Sequence, residues 1–152
     1  MSDLYTVVMM QTNRVGIEKR EQIREANLNR CLELFGYGAR RLAFREYAPL
    51  KLVVFPEVFL QGWNDNAAPY DTIFAKVARD MAITVPGPEI EALAEKAREF
   101  KTYIAGNVHE VMPDFSEDIA FNCGFIIDPQ GEVIYKRHKY CPYLPYRGRD
   151  DV

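Results

Sequence analysis

A chain of 152 residues, 48% hydrophobic and 12% aromatic, has the size and apolar content of one ordinary domain with a sizeable core. A net charge of −3 and a pI near 5.5 exclude the basic footprint of a nucleic-acid binder. Three irregularly spaced cysteines exclude a disulfide framework or a zinc motif, and neither a signal peptide nor a membrane-length apolar stretch is visible, so a soluble, cytoplasmic chain is expected.

Residues Tyr5 to Gln11 have the apolar content of a first buried strand. From Glu18 to Glu46 the chain is charged and rich in helix formers. Its apolar positions Ile23, Leu28, Cys31, Leu32, Phe35, Ala39 and Leu42 recur at three- and four-residue steps, which gives one buried stripe. Gly36-Tyr37-Gly38 interrupts that stretch with residues that weaken a helix. Leu52 to Phe55 is a β-branched and aromatic run closed by Pro56, the pattern of a buried parallel strand. Asn64 to Tyr70 carries turn residues.

Val85-Pro86-Gly87-Pro88-Glu89 precedes a second amphipathic helix, with Pro88 in its first turn and Ile90, Leu93, Ala94, Ala97 and Phe100 on one face. Thr102 to Val108 and Ala120 to Ile127 are expected strands. Asp128-Pro129-Gln130-Gly131 is a turn, and Val133 to Tyr135 begins the returning strand of a hairpin. The order β-α-β-α-β-β predicts an α/β layer structure. The final residues, Arg147 to Val152, form a polar segment with no closing element; either the domain has a ragged tail or further polypeptide follows.

Two charged residues stand out. Glu57 directly follows the strand that ends at Pro56, and ligand sites of open α/β sheets gather beyond such strand ends. Large apolar neighbours there are expected to desolvate it and modulate its protonation. The plainer alternative is a rim carboxylate that caps a helix or pairs with a surface cation. Lys139 closes the run Lys136-Arg137-His138-Lys139 after the hairpin strand, where a cation can stabilise a developing oxyanion. Its alternative is a solvated basic turn.

The segments around this pair resemble the nitrilase superfamily of carbon–nitrogen hydrolases. Val53-Val54-Phe55-Pro56-Glu57 with Gly62-Trp63 is similar to the family's glutamate motif, and Phe121 to Gly131 to the segment before its lysine. Gly131-Glu132 through Lys139 is similar to the lysine motif, although the usual Tyr-Arg-Lys stands here as Arg137-His138-Lys139. Lys136 is the rival assignment; the offset from Gly131 favours Lys139. The resemblance covers essentially the whole chain.

It implies part of an α-β-β-α sandwich, truncated before its C-terminal half, with residues 1–152 as the N-terminal portion of a single domain. It further implies a Glu-Lys-Cys triad in which Glu57 is general base and acid and Lys139 holds the oxyanion. The substrate implied is a small amide, carbamoyl compound or nitrile, with no cofactor or metal, and the assembly implied is a homo-oligomer. The nucleophilic cysteine of the family comes from a later strand end, beyond residue 152, so this chain alone is expected to be inactive.

The cysteines present fit other roles. Cys31 lies on the helical stripe, Cys123 inside a strand, and Cys141 two residues past Lys139 and before Pro142. His109-Glu110 follows a predicted strand, but two histidines in the chain argue against a histidine-based metal centre. Trp63, Tyr140, Tyr143 and Tyr146 are candidate pocket aromatics or ordinary packing residues. A nucleotide-binding domain is disfavoured because Gln11 to Gly16 carries one glycine, and no Gly-x-Ser-x-Gly elbow is present. The remaining alternative is a truncated, non-catalytic protein that binds small molecules or other subunits.

Overall fold

The computed structural model describes residues 4–12, 20–44, 48–61 and 81–139. In chain order they form β1 (Thr6–Met9), α1 (Arg20–Phe44), β2 (Leu50–Val54), α2 (Pro88–Phe100), β3 (Tyr103–Met112), β4 (Ser116–Ile127) and β5 (Val133–His138). The strands make one sheet in sequential order, β1 to β5. β1, β2 and β3 run parallel, and β3, β4 and β5 antiparallel. The two parallel steps each span a helix, as same-direction neighbours require, while β3, β4 and β5 are joined by short turns.

α1 is one unbroken helix despite Gly36 and Gly38. Asn27, Cys31, Phe35 and Ala39 are all buried at four-residue steps, and that continuous face offsets the roughly 1 kcal/mol a helical glycine costs. α2 opens with Pro88 in its first turn and Glu89 and Glu91 near the positive end of its dipole. It buries Ile90, Leu93, Ala94 and Ala97. Phe100 of α2 meets Phe35 of α1 with ring centroids 5.3 Å apart, so both helices cover the same side of the sheet.

Period-two alternation gives each strand two faces. The helix-covered face carries Val53, Ile104, Val108, Cys123, Phe125 and Ile127, all buried. Each large apolar side chain buried there is worth about 1.5–3 kcal/mol. Gly106 belongs to this face because a Cβ would lie 2.8 Å from the Phe125 ring and 3.0 Å from that of Phe59. The register places Val7, Leu52, Tyr103, Ile126 and Tyr135 on the other face, where Val7, Tyr103 and Tyr135 are more than a third exposed.

β3 continues to Met112, beyond its expected end at Val108, and β5 runs to His138, so that Lys139 lies just after it as expected. His109 and Glu110 therefore lie inside a strand rather than after one, and Lys136 to His138 form a strand rather than a basic turn. The β4–β5 turn follows expectation: Asp128 Oδ1 accepts from the N–H groups of Gln130 and Glu132, both at 2.9 Å, and Gly131 takes a left-handed φ of 87°. Among the described residues no helix is long and apolar enough to cross a membrane. The expected loop at Asn64 to Tyr70 lies outside the described residues, as do Gly62, Trp63 and residues 140–152.

Candidate active site

The chain leaves β2 through Phe55 and Pro56 into a turn that presents Glu57. Immediately afterwards Val58 adopts φ 47°, a left-handed conformation that costs a β-branched residue on the order of 1–3 kcal/mol. The surroundings over-determine it. Val58 is fully buried, and its N–H donates to Asn107 Oδ1 on β3 at 3.1 Å. Asn27 of α1 donates to the Leu60 carbonyl at 2.8 Å. Gln61 donates to the Met81 and His109 carbonyls at 3.3 and 3.1 Å and accepts from the His109 N–H at 3.3 Å. The turn carrying Glu57 is thus tied to a helix and to the central strand by the amide side chains of Asn27, Asn107 and Gln61.

Glu57 Oε1 receives two donors: Asn122 Nδ2 of β4 at 2.7 Å and Lys139 Nζ at 3.1 Å. Asn122 is oriented in turn by Asn107, whose Nδ2 donates to Asn122 Oδ1 at 2.5 Å. The Lys139 backbone N–H donates to the Asn122 carbonyl at 2.9 Å, which extends the β4–β5 pairing by one residue. Asn107 therefore holds both the peptide after Glu57 and the amide that contacts its carboxylate.

The two side chains are 41% and 38% exposed, so this is a partly solvated pair. Desolvation pushes the Glu57 pKa up, but the hydrogen bonds from Asn122 and Lys139, with the Lys139 charge and a smaller His109 effect, outweigh it and hold it below the usual carboxylate range. Glu57 is ionised at neutral pH and able to accept a proton. The expected desolvation is the largest single influence on Glu57, and the polar donors together outweigh it. His109 lies close enough to sense Glu57, but burial is the stronger influence and pushes its pKa down to about 4.

A second constellation occupies the opposite face of the same strands. Glu110, 2% exposed, accepts from Lys136 Nζ through Oε1 and contacts His138 Nε2 through Oε2, both at 2.7 Å. Burial pushes its pKa up, but the hydrogen bonds from Lys136, His138 and Cys123 prevail and lower it. Glu110, Cys123 and His138 place donor atoms within 4.8 Å of one another, a metal-like spacing. The Lys136 ammonium already occupies Oε1, however, and opposes a second cation there. These residues fit an ion-pair network better than a metal centre.

Strand alternation puts the two rival lysines on opposite sides of the sheet. Lys139 reaches Glu57 on one side of the sheet, and Lys136 reaches Glu110 on the other. Two clefts of about 400 Å³ flank Lys136; neither is lined by Glu57 or Lys139. Cys31 and Cys123 are 1% and 0% exposed. Burial pushes the Cys31 thiol up to about 11, and burial with the neighbouring Glu110 charge raises Cys123 further. Both have the packing environments expected of them; Cys141 and the aromatics at 63, 140, 143 and 146 lie outside the described residues.

The elements that orient Glu57 escaped sequence reasoning. Asn107, Asn122 and His109 sit at alternating positions of apolar strands. That polar period on one face was the available signal, and it pointed away from the core.

A strand-end glutamate thus contacts a lysine just past a neighbouring hairpin strand, on a partly parallel sheet covered by two helices in a mixed α/β fold. The sequence profile described as carbon-nitrogen hydrolase matches residues 9–150, and the chain belongs to that family. It is 38% identical over 99 residues to a formamidase of Bacillus cereus (strain B4264), an overlap of 65% of this chain and 27% of the formamidase. Among solved structures, it resembles an N-terminal amidase determined with an Asn-Glu-Ala peptide (TM-score 0.64, 19% identity, 91% of this chain and 28% of that one). It also resembles Saccharomyces cerevisiae Nit3, a member of branch 10 of the nitrilase superfamily (TM-score 0.56, 26% identity, 76% of this chain and 38% of that one). The amidase likeness is one of fold, and the chain spans roughly a quarter of the formamidase's length.

Proposed function

We propose that residues 1–152 are the N-terminal portion of a single hydrolase domain and supply Glu57 and Lys139 to a Glu-Lys-Cys triad that cleaves a non-peptide C–N bond. The observation that carries this reading is the 3.1 Å contact of Lys139 Nζ with Glu57 Oε1, in a chain of the carbon–nitrogen hydrolase family. The thiol is placed beyond residue 152, as the family resemblance implies; Cys31 and Cys123 are buried with raised pKa values, the opposite of an activated nucleophile.

In this scheme Glu57 takes the proton of the thiol as sulfur bonds to the amide carbon. The carbonyl π electrons move to oxygen, and the Lys139 ammonium stabilises that oxyanion. On collapse the C–N bond breaks and protonated Glu57 delivers its proton to the leaving amine. Water, deprotonated by Glu57, then attacks the thioester; the C–S bond breaks, the carboxylic acid leaves, and the sulfur takes the proton back from Glu57. The substrate class is a small amide, carbamoyl compound or nitrile, and the formamidase relative favours the smallest amides within it. The reading includes a homo-oligomer in the cytoplasm, where a thiol stays reduced.

Ammonia release by the full-length protein from formamide, acetamide and a short nitrile tests the proposal. Turnover is expected with at least one, reduced roughly 10³-fold in Glu57→Gln and roughly 10²–10³-fold in Lys139→Met. Absence of ammonia from all three, or undiminished turnover in either variant, would overturn it.

A further inference from the structure

We propose that Glu110 is a positioning residue for Lys139, setting the register of β5 from the opposite face of the sheet. The inference rests on the Glu57–Lys139 pair as the functional unit. Its starting point is a problem in the sequence. Lys136-Arg137-His138-Lys139 holds four basic residues in succession, so hydrophobic alternation does not say which should face inward. Among the described residues β5 is also the last strand of the sheet, paired by β4, with a register shift between Ile126 and Ile127. Strands of this kind are the ones most prone to slip.

Glu110 supplies the missing distinction. From the covered face of β3 it engages Lys136 and His138, two residues apart on β5, with one carboxylate oxygen each, at 2.7 Å. Lys136 Nζ also donates to the Val85 carbonyl at 2.9 Å, and the His138 ring stacks on Phe121 with centroids 4.6 Å apart. With 136 and 138 held on that side, alternation turns 137 and 139 to the other. Lys139 then meets Glu57, and its N–H meets the Asn122 carbonyl. A one-residue slip would exchange the faces and take the Lys139 ammonium away from Glu57. A buried carboxylate that fixes register is a specificity device, and it need add little net stability.

The test reads Glu57 itself. In the intact protein labelled with 13C at glutamate carboxyls, the Glu57 titration is followed in the parent, Lys139→Met, Glu110→Gln and the combination of the two. The Glu57 midpoint is expected to rise in Lys139→Met, to rise toward the same value in Glu110→Gln, and to rise no further in the combined variant. Because Glu110→Gln risks misfolding, Glu110→Gln/Lys136→Gln, which removes the buried charges without giving β5 an apolar inward residue, is measured beside it with the same expectation. A general structural role for Glu110 would lower the melting temperature without moving the Glu57 midpoint in folded protein. An unmoved midpoint in the Glu110 variants, alongside a shifted one in Lys139→Met, overturns the positioning role and leaves the hydrolase proposal standing. An unmoved midpoint in Lys139→Met overturns the Glu57–Lys139 pair, and the positioning role falls with it.

Discussion

The two carboxylate–lysine pairs of this sheet use the same chemistry and differ mainly in what surrounds them. Glu110 is 2% exposed in its side chain and lies under the helices, whereas Glu57 is 41% exposed on the opposite face. A buried carboxylate depends on its partners for stability, because losing one leaves a charge without compensation. A half-solvated carboxylate can exchange a partner for water or substrate at little cost. One pair is therefore suited to architecture and the other to the proposed chemistry, and substitution separates them.

The largest effect is expected at the buried pair. Glu110→Ala strands Lys136 and His138 and should lower unfolding free energy by about 3 kcal/mol, the lower end for a broken buried pair because Lys136 is itself 37% exposed. Replacing both partners, as in Glu110→Met/Lys136→Met, should cost less than half of that. Urea denaturation of the three proteins measures it. An equal loss in the single and double variants would show that the stranded Lys136 charge is not the source of the loss.

The next effect is a pH dependence. His109 titrates near 4 in the fold against an ordinary 6.5, so between those values the unfolded chain binds a proton that the folded chain refuses. Stability should therefore decline as pH falls through that window, by on the order of 2 kcal/mol after allowance for partial solvation. Glu57 and Glu110, whose pKa values are lowered, act at more acid pH: their contribution is present above the ordinary carboxylate value and disappears as pH falls through the folded one. Urea midpoints of His109→Gln should lose the slope between pH 6.5 and 4 and keep the steeper fall below it.

A smaller loss is expected where β5 begins. Asp128→Ala removes the acceptor for the N–H groups of Gln130 and Glu132 and should cost about 1 kcal/mol, measured as a shift in the urea midpoint. If Glu110 sets the register from the far end of β5, this substitution should leave the Glu57 titration unmoved. A concomitant shift would assign register to the turn instead.

Apolar periodicity carried most of the fold. The stripe Cys31, Phe35 and Ala39, the Pro88 helix start and the Asp128-Pro129-Gln130-Gly131 turn follow from local chemistry, and all appear in the structure where that chemistry puts them. Glu57 was legible because Pro56 ends its strand. Glu110 was not, since a carboxylate at the end of an apolar run signals a strand terminus until its two distant partners are known. The same holds for Asn107 and Asn122, whose significance depends on a contact between residues 15 apart in sequence and on a glutamate 65 away from the second. Long-range polar pairing has no period, so no local pattern announces it.

The smallest stability effect should come from the residues on which the proposed chemistry depends most. Glu57 and Lys139 form an exposed ion pair, and such pairs are worth about 0–1 kcal/mol. Lys139→Met should therefore leave the urea midpoint within about 0.5 kcal/mol of the parent while reducing turnover by roughly 10²–10³. That separation follows from how Glu57 is held: Val58, Asn107 and Gln61 fix the turn through backbone contacts that Lys139 does not share. A loss of several kcal/mol would mean that Lys139 supports the fold rather than a reaction, and the contrast between the two faces would collapse.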